Sequence, residues 1–173
     1  RLEAWDIMQA TPHLTYQVLT KRPGRMLDWF HRQGWLPNVW AGVSLEADQI
    51  DGHRYWGRLP LLLQVEAPVR FVSVEPMLGP VNLRPWLKWA RPLDDMPDYW
   101  RKHLEGLRNG INWVIAGGES GPAGVRRPLD LDWVRQVRDD CVAAGVPFFF
   151  KQGDGAGPGM NRVLDGRLWE ELP

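Results

Sequence analysis

Three glutamates, Glu46, Glu75 and Glu119, each stand just past an apolar run of β-type residues, and so do three cations, Lys21, Arg22 and Lys151. Carboxylates facing cations suit a zwitterionic or polyfunctional ligand. Arg and Lys would take a carboxylate or phosphate, and Glu would take amines or hydroxyls. The same charges also suit an ion-pair network that closes one end of the fold. Glu75 precedes Pro76, which biases it toward an extended backbone and fixes where its carboxylate points, as a general base or a ligand-binding acceptor. Glu119 and Ser120 lie in the string Gly117-Gly118-Glu119-Ser120-Gly121-Pro122. Two glycines at a strand end allow close backbone approach to a ligand, with Glu119 and Ser120 offering an acceptor and a hydroxyl. Lys151 also supports a third chemistry, imine formation with a carbonyl substrate in a metal-free lyase or isomerase.

Several common chemistries have no support. None of His13, His31, His53 and His103 falls at a strand end, and neither H-x-H nor H-E-x-x-H occurs, so no metal site is expected. The glycines after Gln152 miss the dinucleotide fingerprint, because Pro158 or Met160 stands where the last glycine is required. Pro122 likewise breaks the pattern of a nucleophile elbow around Ser120. The single cysteine, Cys141, excludes an internal disulfide, and its spacing with Val134 and Val137 places it on the apolar face of a helix. Basic and acidic residues number 21 each, so nucleic-acid binding through a basic surface is not supported. No apolar run approaches the roughly 20 residues of a membrane span. No signal peptide is recognisable, and a cytoplasmic location is expected.

The elements that must position these groups are five apolar runs ending near positions 19, 43, 74, 116 and 150. Parallel strands buried on both faces read in this way, and ligands sit outside their carboxyl ends. Helical segments intervene. Pro23-Gly24 opens one that Gly34 stops, a second crossover spans about Ala47 to Pro60 with a further turn at Leu61 to Glu66, and a helix covers Leu131 to Ala144. The repeat is close to the roughly 31 residues per unit of an eight-unit barrel. The expected fold is α/β, a partial (β/α) barrel comprising the last five of eight units. The alternative is an open five-stranded parallel sheet, of the doubly wound kind.

Residues 81–110 form an insertion rich in Pro and Trp, read as a lid or outer excursion, in which Trp86, Trp89 and Trp100 provide packing or a contact surface. Residues 1–152 form the barrel portion. Residues 153–173 form a Gly-rich linker and a C-terminal hairpin turning at Asp165-Gly166. The start at Arg1, directly before a helix-like stretch from Leu2 to Gln9, is expected to be internal to a longer protein. The first strand would then carry an unpaired edge.

Five motifs in order, around Thr20-Lys21-Arg22-Pro23, Ala41-Gly42-Val43-Ser44-Leu45-Glu46, Ser73-Val74-Glu75-Pro76-Met77, Ala116-Gly117-Gly118-Glu119-Ser120 and Phe148-Phe149-Phe150-Lys151-Gln152, resemble an uncharacterised phage-associated family similar to radical S-adenosylmethionine enzymes. That family is found with three-Cys-motif partner proteins. The resemblance covers about residues 5–152 and the ending from Leu164. It implies a barrel enzyme of unknown substrate whose N-terminal part carries the cysteines of a [4Fe–4S] cluster. The cluster binds S-adenosylmethionine and cleaves it reductively to a 5′-deoxyadenosyl radical. This chain, lacking those cysteines, would hold no cofactor by itself and would be inactive alone. Its rim residues Lys21, Arg22, Glu46, Glu75, Glu119, Ser120 and Lys151 would contact cofactor or a small-molecule substrate. The string Gly117-Gly118-Glu119 is similar to the short glycine-glycine-acid string that binds the cofactor's amino group in radical enzymes, but it follows a late strand here. The alternative function is a protein- or nucleic-acid-binding module without catalysis, with the Trp-rich insertion as its contact surface.

Overall fold

The computed structural model of the chain describes residues 2–50, 53–54, 57–87 and 110–173. Helix α1 (Leu2–Ala10) leads into β1 (Tyr16–Thr20), α2 (Pro23–Gln33) and β2 (Val39–Leu45). Two short strands, β3 (Gln49–Ile50) and β4 (His53–Arg54), precede α3 (Arg58–Leu63) and β5 (Arg70–Val74). Next come a 3-10 turn at Arg84–Trp86, β6 (Trp113–Gly117), α4 (Leu131–Ala144) and β7 (Phe148–Gln152). A hairpin of β8 (Val163–Leu164) and β9 (Arg167–Leu168) follows. Among the described residues, no helix is long and apolar enough to cross a membrane.

The five long strands form one parallel sheet in the order β1-β2-β5-β6-β7. The strand order follows the chain without reversing, so every crossover steps in the same direction. Because such crossovers are right-handed, the helices gather on one face. The core has that geometry. Ala41, Val43, Leu45, Val72, Val74, Val114, Ala116, Phe148 and Phe150 alternate along their strands and pack against α2, α3 and α4 through Met26, Leu27, Leu59, Leu62, Val134 and Val137. The sheet is α/β and parallel as expected, but it is wound one way. The expected alternative, an open five-stranded parallel sheet, fits this arrangement, but it is not doubly wound, since that would require a reversal of strand order.

Local signals explain the helix ends. Pro23 starts α2, and Gly34 at φ 74° ends it with its N–H on the Phe30 carbonyl. Asp130 caps α4 by accepting from the Asp132 N–H, and Gly145 closes it in the left-handed region with N–H groups turned back onto Cys141 and Val142. The crossover after β2 differs from expectation. A short hairpin occupies part of 47–60, and the helix runs across the expected break, from Arg58 to Leu63. Strands of two residues are too short to show a period of two.

The predicted turn at Asp165-Gly166 is present, with both residues at positive φ, as a tight two-residue hairpin requires. This segment returns to the sheet. Leu164 is buried in the core, and the chain beyond β9 runs antiparallel along the outer edge of β7. Phe150 donates its N–H to the Trp169 carbonyl at 2.8 Å, and Glu171 donates to Phe148 at 3.2 Å. The Trp113 indole N–H reaches the Glu171 carbonyl at 2.9 Å. Of the 81–110 insertion, Trp86 is buried and Leu87 bridges to Ile111, while Trp89 and Trp100 lie outside the described residues.

Candidate functional site

The charged residues at the strand ends sort into three separate ion pairs. Glu46, just past β2, receives Lys21 at 2.5 Å and Arg58 at 3.2 Å. Arg58 also donates to the Ser44 carbonyl, so it ties α3 to the end of β2. Glu46 is only 7% exposed. With two cations satisfying it, this cluster has the partners a buried carboxylate requires.

Glu119 forms a closed clamp with Arg127. The guanidinium donates to both carboxylate oxygens, at 2.9 and 2.7 Å, and the Arg127 backbone N–H adds a third bond at 2.8 Å. These bonds hold the Glu119 carboxyl down at about 2. The folded value lies below that of a free glutamate, so the clamp stabilises the loop fully above about pH 4.5 and is lost as pH falls through about 2. A carboxyl-carbon NMR titration is expected to place the Glu119 midpoint near 2; a midpoint near the ordinary glutamate value of about 4.3 would refute the clamp. Neighbouring Ser120 is exposed and bridges to Gly155 through its backbone.

Glu75 is differently placed. Its carboxylate accepts from the Ser73 hydroxyl at 2.9 Å and from Lys151 at 3.3 Å. The three side chains come from the ends of β5 and β7 and border a pocket of about 430 Å3 on the sheet face away from the helices. Phe71, Trp113 and Phe149 make its aromatic floor, with the Phe71 and Trp113 centroids 5.6 Å apart and those of Trp113 and Phe149 6.1 Å apart. Gln17 and Leu19 of β1 form the far wall. The Glu75–Pro76 peptide is cis. Space for the carboxylate comes from Gly117, where a Cβ would lie 2.5 Å from Glu75 Oε1.

Of the residues expected at one mouth, Glu75 and Lys151 thus meet at a pocket, and Lys21 and Glu46 meet in a pair. Glu119 is engaged by Arg127 within its own loop. Arg22 joins none of these groups and lines a cavity between α1 and α2. The sequence reading missed Ser73, Arg58 and the role of Gly117, although the Gly117-Gly118 pair at a strand end was a signal for the last. Among the described residues no cluster of His, Cys, Asp and Glu is placed to hold a metal ion. Cys141 is buried in α4, and burial together with nearby Asp140 and Glu171 pushes its thiol well up, the opposite of a reactive or ligating thiolate.

Fold and site together define a parallel α/β protein wound one way, with a carboxylate–ammonium pair over an aromatic pocket on the sheet face opposite α2, α3 and α4. The chain belongs to the family described as "Protein of unknown function (DUF5131)", which it matches over residues 1–173. No curated protein and no solved structure matches it.

Proposed function

We propose that the chain is the C-terminal wall of a radical S-adenosylmethionine-like barrel enzyme, phage-associated and working with a three-Cys-motif partner protein, and that the sheet face carrying Glu75 and Lys151 binds the cofactor or substrate. The observation that carries this reading is the Glu75–Lys151 pair above the Phe71–Trp113–Phe149 floor. A sheet wound one way with helices on a single face is also how a barrel wall is built, and barrel ligands sit at the carboxyl ends of the strands.

The two implied groups fare differently against these residues. A [4Fe–4S] cluster needs several thiolates. The chain has one cysteine, buried and strongly protonated, so the cluster does not fit these 173 residues and its ligands would come from outside them. S-adenosylmethionine fits better. Its ammonium and carboxylate complement Glu75 and Lys151, and its adenine complements an aromatic floor. When bound beside a cluster, the cofactor supplies radical chemistry. The residues here would bind and orient it, with Ser73 keeping the Glu75 carboxylate turned toward the pocket.

Calorimetric titration of the chain with S-adenosylmethionine tests this. Saturable binding is expected, weakened about tenfold or more by either Glu75→Gln or Lys151→Met, since each removes a charge-assisted contact. Absence of binding, or affinity unchanged in both variants, would overturn the proposal.

A further inference from the structure

A second cavity, of about 440 Å3, lies between α1, α2 and the helix-side face of β1. Its walls are built around three tryptophans. Trp5 stands edge-on to both Trp29 and Trp35, with centroids 5.7 and 5.5 Å apart. Met8 adds a soft, adaptable surface, and Arg22 and Arg25 stand beside the aromatic walls.

Three observations narrow what would occupy it. First, the arginines are exposed and, among the described residues, have no carboxylate within ion-pair distance, whereas Arg127, Arg135, Arg138 and Arg167 all do. The first turn of α2 contains no acidic residue either. An aromatic cage often receives a quaternary ammonium, but two free guanidinium groups at its side select an anion instead. Second, apart from the arginines and Thr20 the lining is apolar, with Ala4, Met8, Val18 and Met26 beside the tryptophans, which suits a flat ring system carrying its polar groups at one end. Third, the volume is in the range of small-molecule sites.

We propose that this cavity binds a nucleotide, its heteroaromatic base among Trp5, Trp29 and Trp35 and its phosphates on Arg22 and Arg25. A base offers a π-face to the tryptophans. Phosphate matches the guanidinium fork. A free nucleotide is favoured over a nucleic-acid strand because the chain has no net charge and the described lining of the cavity offers two arginines rather than an extended basic track. The site is distinct from the Glu75–Lys151 pocket, which lies on the opposite face of the sheet, and it does not depend on the function proposed for that pocket.

Calorimetric titration of the chain with ADP, adenosine, inorganic phosphate and pentadeoxyadenylate decides the matter. ADP is expected to bind saturably and more tightly than adenosine or phosphate. Arg22→Ala/Arg25→Ala should weaken ADP by about tenfold or more while leaving adenosine unchanged. Trp29→Leu removes an aromatic wall, and a loss of roughly threefold to tenfold is expected for ADP and adenosine alike. Glu75→Gln should leave ADP affinity unaltered. The arginines are exposed, so the double variant remains informative even if Trp29→Leu fails to fold. No ADP binding at millimolar concentration, unchanged affinity in the arginine variant, loss of it in Glu75→Gln, or tighter binding of pentadeoxyadenylate than of ADP would each overturn the proposal.

Discussion

Alanine at Gly42 is expected to destabilise the protein by about 1–3 kcal/mol, the usual cost of overfilling a packed site. Gly42 of β2 is the register partner of Phe71 in β5. The Phe71 ring lies across it, so a Cβ would fall 2.3 Å from Cζ and 2.4 and 2.5 Å from the two Cε atoms. No real Cβ contact is that short. The ring has little room to yield, being 2% exposed and backed by Trp113. Either the strand pair spreads or the ring tips into the pocket it floors. Denaturant midpoints of Gly42→Ala and of Gly42→Ala/Phe71→Leu measure this, the smaller side chain restoring part of the loss. An unchanged midpoint in the single variant would show that the ring moves aside without cost.

Gly117→Ala should act in the opposite way, with little loss of stability and a large loss of binding at the sheet face. The atom its Cβ would strike, Glu75 Oε1 at 2.5 Å, is the tip of a flexible side chain, and the next nearest, Cδ and Cγ, are at 3.2 and 3.3 Å. Gly117 does not have the positive φ that would make alanine strained. The carboxylate therefore swings away at small cost, and its bonds to Ser73 and Lys151 break. Affinity for S-adenosylmethionine should fall about tenfold or more with the thermal midpoint nearly constant. A collapse of the thermal midpoint would assign Gly117 a role in the fold, and unchanged affinity would remove Glu75 from the site.

Much of this architecture was legible because each parallel strand is an apolar run that ends in charge. The observed ends at Thr20, Leu45, Val74, Gly117 and Gln152 lie within two residues of the expected ones. Pro23, Gly34 and Asp165-Gly166 mark boundaries for purely local reasons, and local reasons are what a sequence displays. Pairings across the fold are not local. Arg58 reaches Glu46, and Ser73 and Lys151 reach Glu75, only once register and helix placement are set. Adjacent residues at a strand end also diverge, since successive side chains leave on opposite faces. Lys21 turns to Glu46, whereas Arg22 lines the α1–α2 cavity.

The last residues of the chain lie along β7 and accept or donate the hydrogen bonds that its outer edge would otherwise offer. On the other side, no described strand pairs with the outer edge of β1. Among the described residues the sheet is therefore directional with respect to recruitment: a visiting strand would meet outward backbone groups without a strand partner beside Tyr16–Thr20 and occupied ones beside Phe148–Gln152.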